Sequence, residues 1–174
     1  KLNVKPTTFE KDKVSVVVRF DGGYLALPKG KPGLAWALPF AFVEGGLGRL
    51  EMQELEQTEP GHFAGVSLDL EEDAFRLSGD TVERDVLLQL QVLAAFATDA
   101  AYRPDGLRRM QAVADGQLRD QASSASGVLS RQLIGLAHDG DARWRQATLE
   151  EIGALTIGDV KAAIAPALGG APIE

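Results

Sequence analysis

The sequence predicts an α+β domain in which an antiparallel or mixed β-sheet carries helices packed on one face. Residues 14–20 are β-branched and are followed by two glycines at 22 and 23, which is typical of a strand. Residues 62–70 and 74–78 are joined by an acidic turn and predict a strand pair. The later sequence is mostly helical in pattern, and strands followed by grouped helices indicate the α+β class.

The first half contains further predicted elements. Residues 24–27 are expected to continue the extended path of the first strand. Residues 34–44 are nearly all apolar, follow Pro32 and precede a glycine pair, so they predict a buried helix. Pro39 lies inside this helix and is expected to kink it or to replace its last turns. A short amphipathic helix is expected over residues 49–57.

The second half is predicted to be helical. A helix is expected to be capped by Asp80 or Thr81 and to run to about residue 98. Helices then cover about 105–122 and the segment to 137. Thr148 and Thr156 each open a helix with capping-box spacing, and residues 171–174 begin a strand. The helix expected after Asp80 or Thr81 has an apolar face at helical spacing, made of Val82, Val86, Leu90, Leu93 and Ala97.

Composition limits the classes of function. A chain of 174 residues suits one domain, and 45% hydrophobic with 25% charged residues is ordinary for a soluble globular protein. No apolar run approaches the roughly 20 residues of a membrane span, so no span is expected. The net charge of −7 and scattered basic residues disfavour a nucleic-acid partner. With no cysteine, disulfides and thiolate metal sites are excluded.

Both ends of the sequence resemble cuts through a longer polypeptide. The first residue is Lys1 and not methionine, and the last four residues begin a strand and then stop. We therefore expect residues 1–174 to form a single domain, truncated at both ends from a larger multidomain chain.

Several segments, in their order and spacing, carry a resemblance to a known family. They lie at residues 2–7, 14–20, 22–23, 31–35, 44–48, 85–93, 155–160 and 171–174. Together they resemble the pitrilysin/insulinase-type zinc metallopeptidases, which include mitochondrial processing peptidase and bacterial proteases. The resemblance implies the metallopeptidase-like fold of the mitochondrial processing peptidase type. It also implies that this domain comes from the second half of a bacterial member.

Peptide-cleaving members of that family carry the inverted zinc motif His-x-x-Glu-His on the helix after a Gly-Leu-Ala segment, and a third ligand on a later helix. At the corresponding positions this sequence has Trp36, Pro39 and Phe40, and the third ligand position falls on Gly116 or Gln117. None of these side chains binds Zn²⁺ strongly or takes a proton near neutral pH. The resemblance therefore implies no catalytic residue, metal site or cofactor in this chain, and zinc in the active domain of the parent.

The remaining candidate residues give no other catalytic pattern. The two histidines, His62 and His138, have no second histidine or carboxylate at ligand spacing in a helical pattern. Asp139 and Asp141 suit a turn and a cap. A serine hydrolase is disfavoured because only these two histidines could serve the serines at 123, 124, 126 and 130.

Trp36 and Phe40 are four residues apart and are expected to share one helix face. Two interpretations remain open for them: plain core residues, or an apolar wall of a substrate chamber.

The function implied by the resemblance is that of a non-catalytic structural domain of a zinc metallopeptidase. Such a domain would help to enclose the substrate chamber and to contact peptide. Its partners would be homologous peptidase domains of the same polypeptide and the peptide substrate. Analogy with bacterial relatives suggests the periplasm or cell envelope. The alternatives are a stand-alone peptide- or protein-binding module of the same fold, and an active hydrolase that uses other residues.

Overall fold

The computed structural model describes residues 1–8, 10–58, 61–170 and 173–174, and within them it shows a three-stranded sheet and eight α-helices. The first half contains β1 (Lys13–Asp21), α1 (Gly23–Ala26), α2 (Leu34–Glu44), α3 (Met52–Thr58), β2 (Ser67–Leu70) and β3 (Ala74–Val82). A 3₁₀ turn at Glu83–Asp85 leads into α4 (Val86–Asp99), α5 (Pro104–Ala122), α6 (Ala125–Ala137), α7 (Leu149–Gly153) and α8 (Ile157–Gly170).

The sheet is antiparallel, with the strand order β1-β3-β2. In its register Val18 lies opposite Leu77, and Phe20 lies opposite Phe75. Phe20, Leu77 and Phe75 are buried, whereas Val17 on the alternate face of β1 is 45% exposed. Helices α2, α4 and α8 contact the strands. One face of the sheet therefore packs against helices while the other meets solvent, and the α+β prediction is confirmed.

Helix α2 supplies the centre of the core. Its buried residues are Leu34, Ala37, Leu38, Ala41 and Phe42. The ring of Phe42 lies 5.8 Å from that of Phe96 and 5.9 Å from that of Tyr102. The helix has the predicted bounds and continues through Pro39 to Glu44, so its last turns are retained. Proline removes one backbone donor, and burial of apolar side chains on both sides of it outweighs that loss.

The expected extended path over residues 24–27 is wrong, because the glycine pair turns the chain. Gly22 has φ 142° and Gly23 has φ 58°, values that favour glycine. The chain then forms the short helix α1. The amides of Tyr24 and Leu25 donate to the carbonyls of Glu71 and Glu72, each at 3.0 Å. These hydrogen bonds connect α1 to the acidic β2–β3 hairpin.

The predicted strand over residues 62–70 is correct only for β2. The segment before β2 lies outside the strand ladder because side chains of the 3₁₀ turn and of α4 form hydrogen bonds with its backbone groups. The amide of Phe63 donates to the Asp85 carboxylate at 3.0 Å. The Gly65 amide donates to Oε1 of Gln89 at 3.0 Å, and Nε2 of Gln89 donates back to the Gly65 carbonyl at 2.8 Å. Asp85 and Gln89 are buried polar residues whose partners lie in this segment.

The predicted cap at Asp80 or Thr81 is also wrong, since β3 extends through Val82 and α4 begins at Val86. The predicted apolar face shifts with it. Leu90 is 47% exposed, and of the five predicted residues only Leu93 is buried. The buried residues of α4 are Gln89, Val92, Leu93 and Phe96. Helical spacing alone could not select this face, because one of its members is a glutamine.

The later helices follow the prediction closely. Thr148 forms a capping box with Glu151, in which each backbone amide donates to the other residue's side chain at 2.8 and 3.2 Å. At the end of the chain, the amide and carbonyl of Glu174 pair with those of Arg19 on β1, while residues 171 and 172 lie outside the described residues. No helix in the described part of the chain has the length and apolarity to cross a membrane.

We expect Gly79→Ala to lower the free energy of unfolding by about 1–3 kcal/mol, the usual cost of overpacking. A methyl group there would lie 2.0 Å from the Gly65 carbonyl oxygen and 2.3 Å from Nε2 of Gln89. Urea unfolding followed by circular dichroism measures the change. Gly30→Ala is the matched control, because nothing lies within 4 Å of its added methyl group. Equal stability of the two variants would contradict this packing.

Candidate functional site

A cleft of about 750 Å³ opens between the N-terminal half of α2, the C-terminal end of α5, helix α6 and the loop before α7. Both tryptophans of the chain, Trp36 and Trp144, line it. We call it the tryptophan cleft. Its other apolar walls include Tyr24 and Ile134, and its polar walls include serine, glutamine and arginine side chains. Its volume lies within the range of about 300–1,000 Å³ that ligand pockets occupy.

Trp144 is held by a group of stacked side chains. Its ring stacks on His138 with centroids 4.3 Å apart and on Tyr24 with centroids 5.2 Å apart, and both ring pairs are within 16° of parallel. The guanidinium of Arg143 lies 4.9 Å from the Trp144 centroid, within cation–π range. These contacts fix one aromatic wall of the cleft. They also explain the place of His138, which serves as a packing partner.

Arg143 is fully engaged by groups of the chain itself. Its Nε and Nη2 donate to the two oxygens of Asp141 at 3.0 and 2.8 Å, and Nη1 donates to the Leu25 carbonyl at 2.7 Å. This bidentate pair is mostly buried, and the Arg143 guanidinium holds the pKa of Asp141 well below its ordinary value. The side chain therefore joins α1 to the loop before α7.

Arg145 forms the second ion pair of the cleft wall. Its guanidinium donates to both carboxylate oxygens of Glu151 in α7, which is also the capping-box glutamate. The guanidinium, with the Thr148 amide, lowers the pKa of Glu151 from 4.5 to about 2. Carboxylates of the chain itself thus neutralise the positive charges of both arginines, and neither guanidinium is free in the cleft.

The structure separates the residues predicted for the site. Trp36 is half-buried and lines the tryptophan cleft. Phe40, one turn later, is 44% exposed and is not a core residue, and Pro39 is half-buried within α2. Gly116 and Gln117 are exposed on α5, and neither lines the cleft.

The two histidines serve other groups. His62 Nδ1 lies 2.5 Å from the buried carboxylate of Asp85, and this hydrogen bond is the main cause that lowers the pKa of Asp85. His138 belongs to the Trp144 stack. Within residues 1–8, 10–58, 61–170 and 173–174, no three histidine, aspartate or glutamate side chains lie together as a metal site would need. Of the serines considered in the sequence analysis, Ser124 caps α6, and its hydroxyl oxygen accepts a hydrogen bond from the Gly127 amide at 3.1 Å.

Sequence reasoning missed most of the residues that line the cleft, among them Trp144, Gln121 and Gln146. One signal could have indicated the first, because the chain contains only two tryptophans and both lie here. The glutamines carried no signal, since a glutamine at an exposed helix end, such as Gln121, or in a loop, such as Gln146, is ordinary.

Several solved structures share the fold of this chain. An inactive peptidase M16 domain from Pseudomonas fluorescens superposes with a TM-score of 0.70 at 16% identity, over 87% of this chain and 37% of that one. The periplasmic protease PqqL from Escherichia coli gives 0.70 at 17% identity, over 94% of this chain and 18% of that one. The ferredoxin protease FusC, solved in complex with Arabidopsis ferredoxin, gives 0.66 at 16% identity, with the same coverages of 94% and 18%.

The chain therefore has the fold of a domain of the M16, or pitrilysin-like, peptidases, as the sequence resemblance predicted. It spans between about a fifth and two fifths of the length of these solved chains. No family model matches the sequence, and no curated protein matches it. The likeness concerns the fold, and one of the proteins that share it is an inactive domain.

We expect Glu151→Gln to destabilise the domain by about 1 kcal/mol at pH 7, through the weakened ion pair and capping box. Because the folded-state pKa of Glu151 is lowered from 4.5 to about 2, its contribution is complete above pH 4.5. That contribution is lost as the pH falls from 4.5 towards 2, so the variant and the wild type should converge there. Urea midpoints measured between pH 2 and 7 test this.

Glu150→Gln is the control, because it changes the same charge at the neighbouring exposed position. A stability gap for Glu151→Gln that stays constant down to pH 2 would contradict the assignment of the shift to the Arg145 pair.

Proposed function

We propose that this chain is a non-catalytic structural domain of a zinc metallopeptidase, which helps to enclose the substrate chamber and contacts peptide. The observation that carries the proposal is the tryptophan cleft, an open cleft with both tryptophans on its walls. One of them, Trp36, lies on α2, the helix at which the sequence resembles the zinc-binding helix of the family. Aromatic surface in an accessible cleft suits contact with apolar side chains of a peptide.

In this proposal the zinc-binding positions are occupied by residues that cannot serve as ligands. Trp36 and Phe40 replace the two histidines, Pro39 replaces the glutamate base, and Gly116 or Gln117 replaces the third ligand. Indole and phenyl rings have no lone pair suited to Zn²⁺, and neither proline nor glutamine takes a proton near neutral pH. The domain then acts by shape and surface, and hydrolysis requires zinc held by another domain of the parent chain.

Two comparisons support the partners in this proposal. One structure of this fold is an inactive domain, and a second was solved with a protein bound, ferredoxin in the case of FusC. We therefore infer a peptide substrate as the ligand. The solved chains are several times longer than this one, which supports homologous peptidase domains of the same polypeptide as its neighbours. PqqL is a periplasmic protease, which supports the periplasm or cell envelope of a bacterium as the compartment.

Binding of an unfolded polypeptide tests the proposal. Fluorescein-labelled β-casein should bind the 174-residue chain saturably in an anisotropy titration. Trp36→Ala should weaken this binding about tenfold, as expected for loss of a large apolar contact surface. Phe40→Ala is the matched control on the same helix, outside the cleft, and should change binding less than about twofold.

Zinc titration by calorimetry and a casein-cleavage assay complete the test. We expect neither a stoichiometric zinc site tighter than micromolar nor cleavage, with zinc or with chelator. A tight site, casein turnover, or casein binding that is indifferent to Trp36→Ala would each overturn the proposal.

A further inference from the structure

We propose that the tryptophan cleft holds an extended polypeptide segment by its main chain, through the amide pair Gln121–Gln146, and takes one bulky apolar side chain of that segment against Trp36. The segment it fits is neutral or basic, and not acidic. The inference rests on the proposed function, since it names the ligand chemistry of the same cleft.

The glutamine pair bridges two elements that border the cleft. Gln121 lies in the last turn of α5 and Gln146 lies in the loop before α7, and both line the cleft. Nε2 of Gln146 donates to Oε1 of Gln121 at 2.8 Å. Among the described residues, no partner occupies Nε2 of Gln121 or Oε1 of Gln146. The pair therefore keeps one free amide donor group and one free carbonyl acceptor.

A free donor beside a free acceptor matches the main chain of a peptide. Each peptide unit offers one carbonyl acceptor and one N–H donor, and an extended segment presents both to the side. Main-chain recognition of this kind accepts many sequences, as a domain that contacts varied peptides requires. The hydrogen bond between Gln121 and Gln146 fixes the geometry in advance, which lowers the entropy lost on binding.

Trp36 and Ile134 form the apolar part of the cleft that the bulky side chain of the segment would contact. Trp36 is half-buried and, among the described residues, has no aromatic stacking partner, in contrast to Trp144. Ile134 on α6 lines the same cleft and is 51% exposed. A phenylalanine, tyrosine or leucine side chain placed between them would remove both apolar surfaces from water.

Charge selects against an acidic segment. Of the charged side chains that line the cleft, Arg143 and Arg145 are paired with Asp141 and Glu151. The third charged side chain that lines the cleft, Asp120, has no ion-pair partner in the described part of the chain. It lies in the last turn of α5, where the helix dipole disfavours a carboxylate. Asp120 repels an acidic residue and attracts a lysine.

Four capped hexapeptides with a fluorescein label test the inference in an anisotropy titration at low salt. The first is Ser-Gly-Phe-Lys-Gly-Ser. The second has alanine for phenylalanine, the third has glutamate for lysine, and the fourth carries an N-methyl group on the phenylalanine amide. We expect the second to bind about tenfold more weakly, the third about threefold more weakly and the fourth about fivefold more weakly than the first.

Matched variants assign these effects to residues. Gln121→Ala removes the free amide donor and should weaken the first peptide about fivefold. Gln146→Ala removes the acceptor of the peptide N–H and should no longer distinguish the first peptide from the N-methylated one. Gln117→Ala is the control, an exposed glutamine one turn earlier on α5 that does not line the cleft, and it should bind like the wild type. Asp120→Asn should remove the preference for lysine over glutamate, whereas Asp115→Asn, the control of equal charge on the same helix, should retain it.

The possible failures are distinguishable. Equal binding of the first and N-methylated peptides by the wild-type chain, or equal effects of Gln121→Ala and Gln117→Ala, would overturn main-chain recognition. Tighter binding of the glutamate peptide would overturn the charge preference. In each of these cases, peptide and casein binding that depends on Trp36 would still support the proposed function. Failure of the peptides and of casein to bind would overturn both.

Discussion

Burial of α2 is the constraint on which the rest of the structure depends. The helix is so rich in apolar residues that it must be covered on most of its surface, and the sheet, α5 and α8 all contact it. Phe42 extends the same core to α4 and to the loop after it, through its ring contacts with Phe96 and Tyr102. The part of α2 that is not fully covered carries Trp36 and Phe40. The tryptophan cleft exists because the cover around α2 is incomplete at Trp36.

Polar contacts set the walls of the cleft. Arg143 forms a bidentate ion pair with Asp141 in its own loop and reaches α1 through a hydrogen bond to the Leu25 carbonyl. Arg145 reaches α7 through a bidentate ion pair with Glu151, which is also the glutamate of the α7 capping box. Such pairs position loops that have few buried apolar side chains, and they neutralise the charge of the guanidinium groups. The cleft is therefore shaped by charged residues and yet offers an incoming peptide mainly aromatic and amide surface. This combination suits contact with a peptide, in agreement with the proposed role.

The fold class and most helices could be predicted from local patterns. Residues 34–44 are apolar enough to specify a buried helix on their own, and Thr148 with Glu151 specifies a helix start through contacts three residues apart. Where the prediction was wrong, contacts distant in sequence decide the outcome. The segment before β2 has strand-like alternation, but Asp85 and Gln89, more than twenty residues later, take its backbone groups. No local pattern shows that a glutamine will be buried.

The sequence by itself determined the resemblance to a peptidase domain, the α+β class and the absence of a His-x-x-Glu-His motif on α2, because each depends on the identity of residues in order. Only the tertiary structure decided which of the noted residues share a surface. Phe40 and Gln117 lie outside the cleft that Trp36 lines, while Trp144 and the two glutamines, from distant parts of the chain, lie within it. The physical reason is that elements distant in sequence form the walls of a cleft. No short segment of the sequence encodes how α5, α6 and the loop before α7 pack around α2.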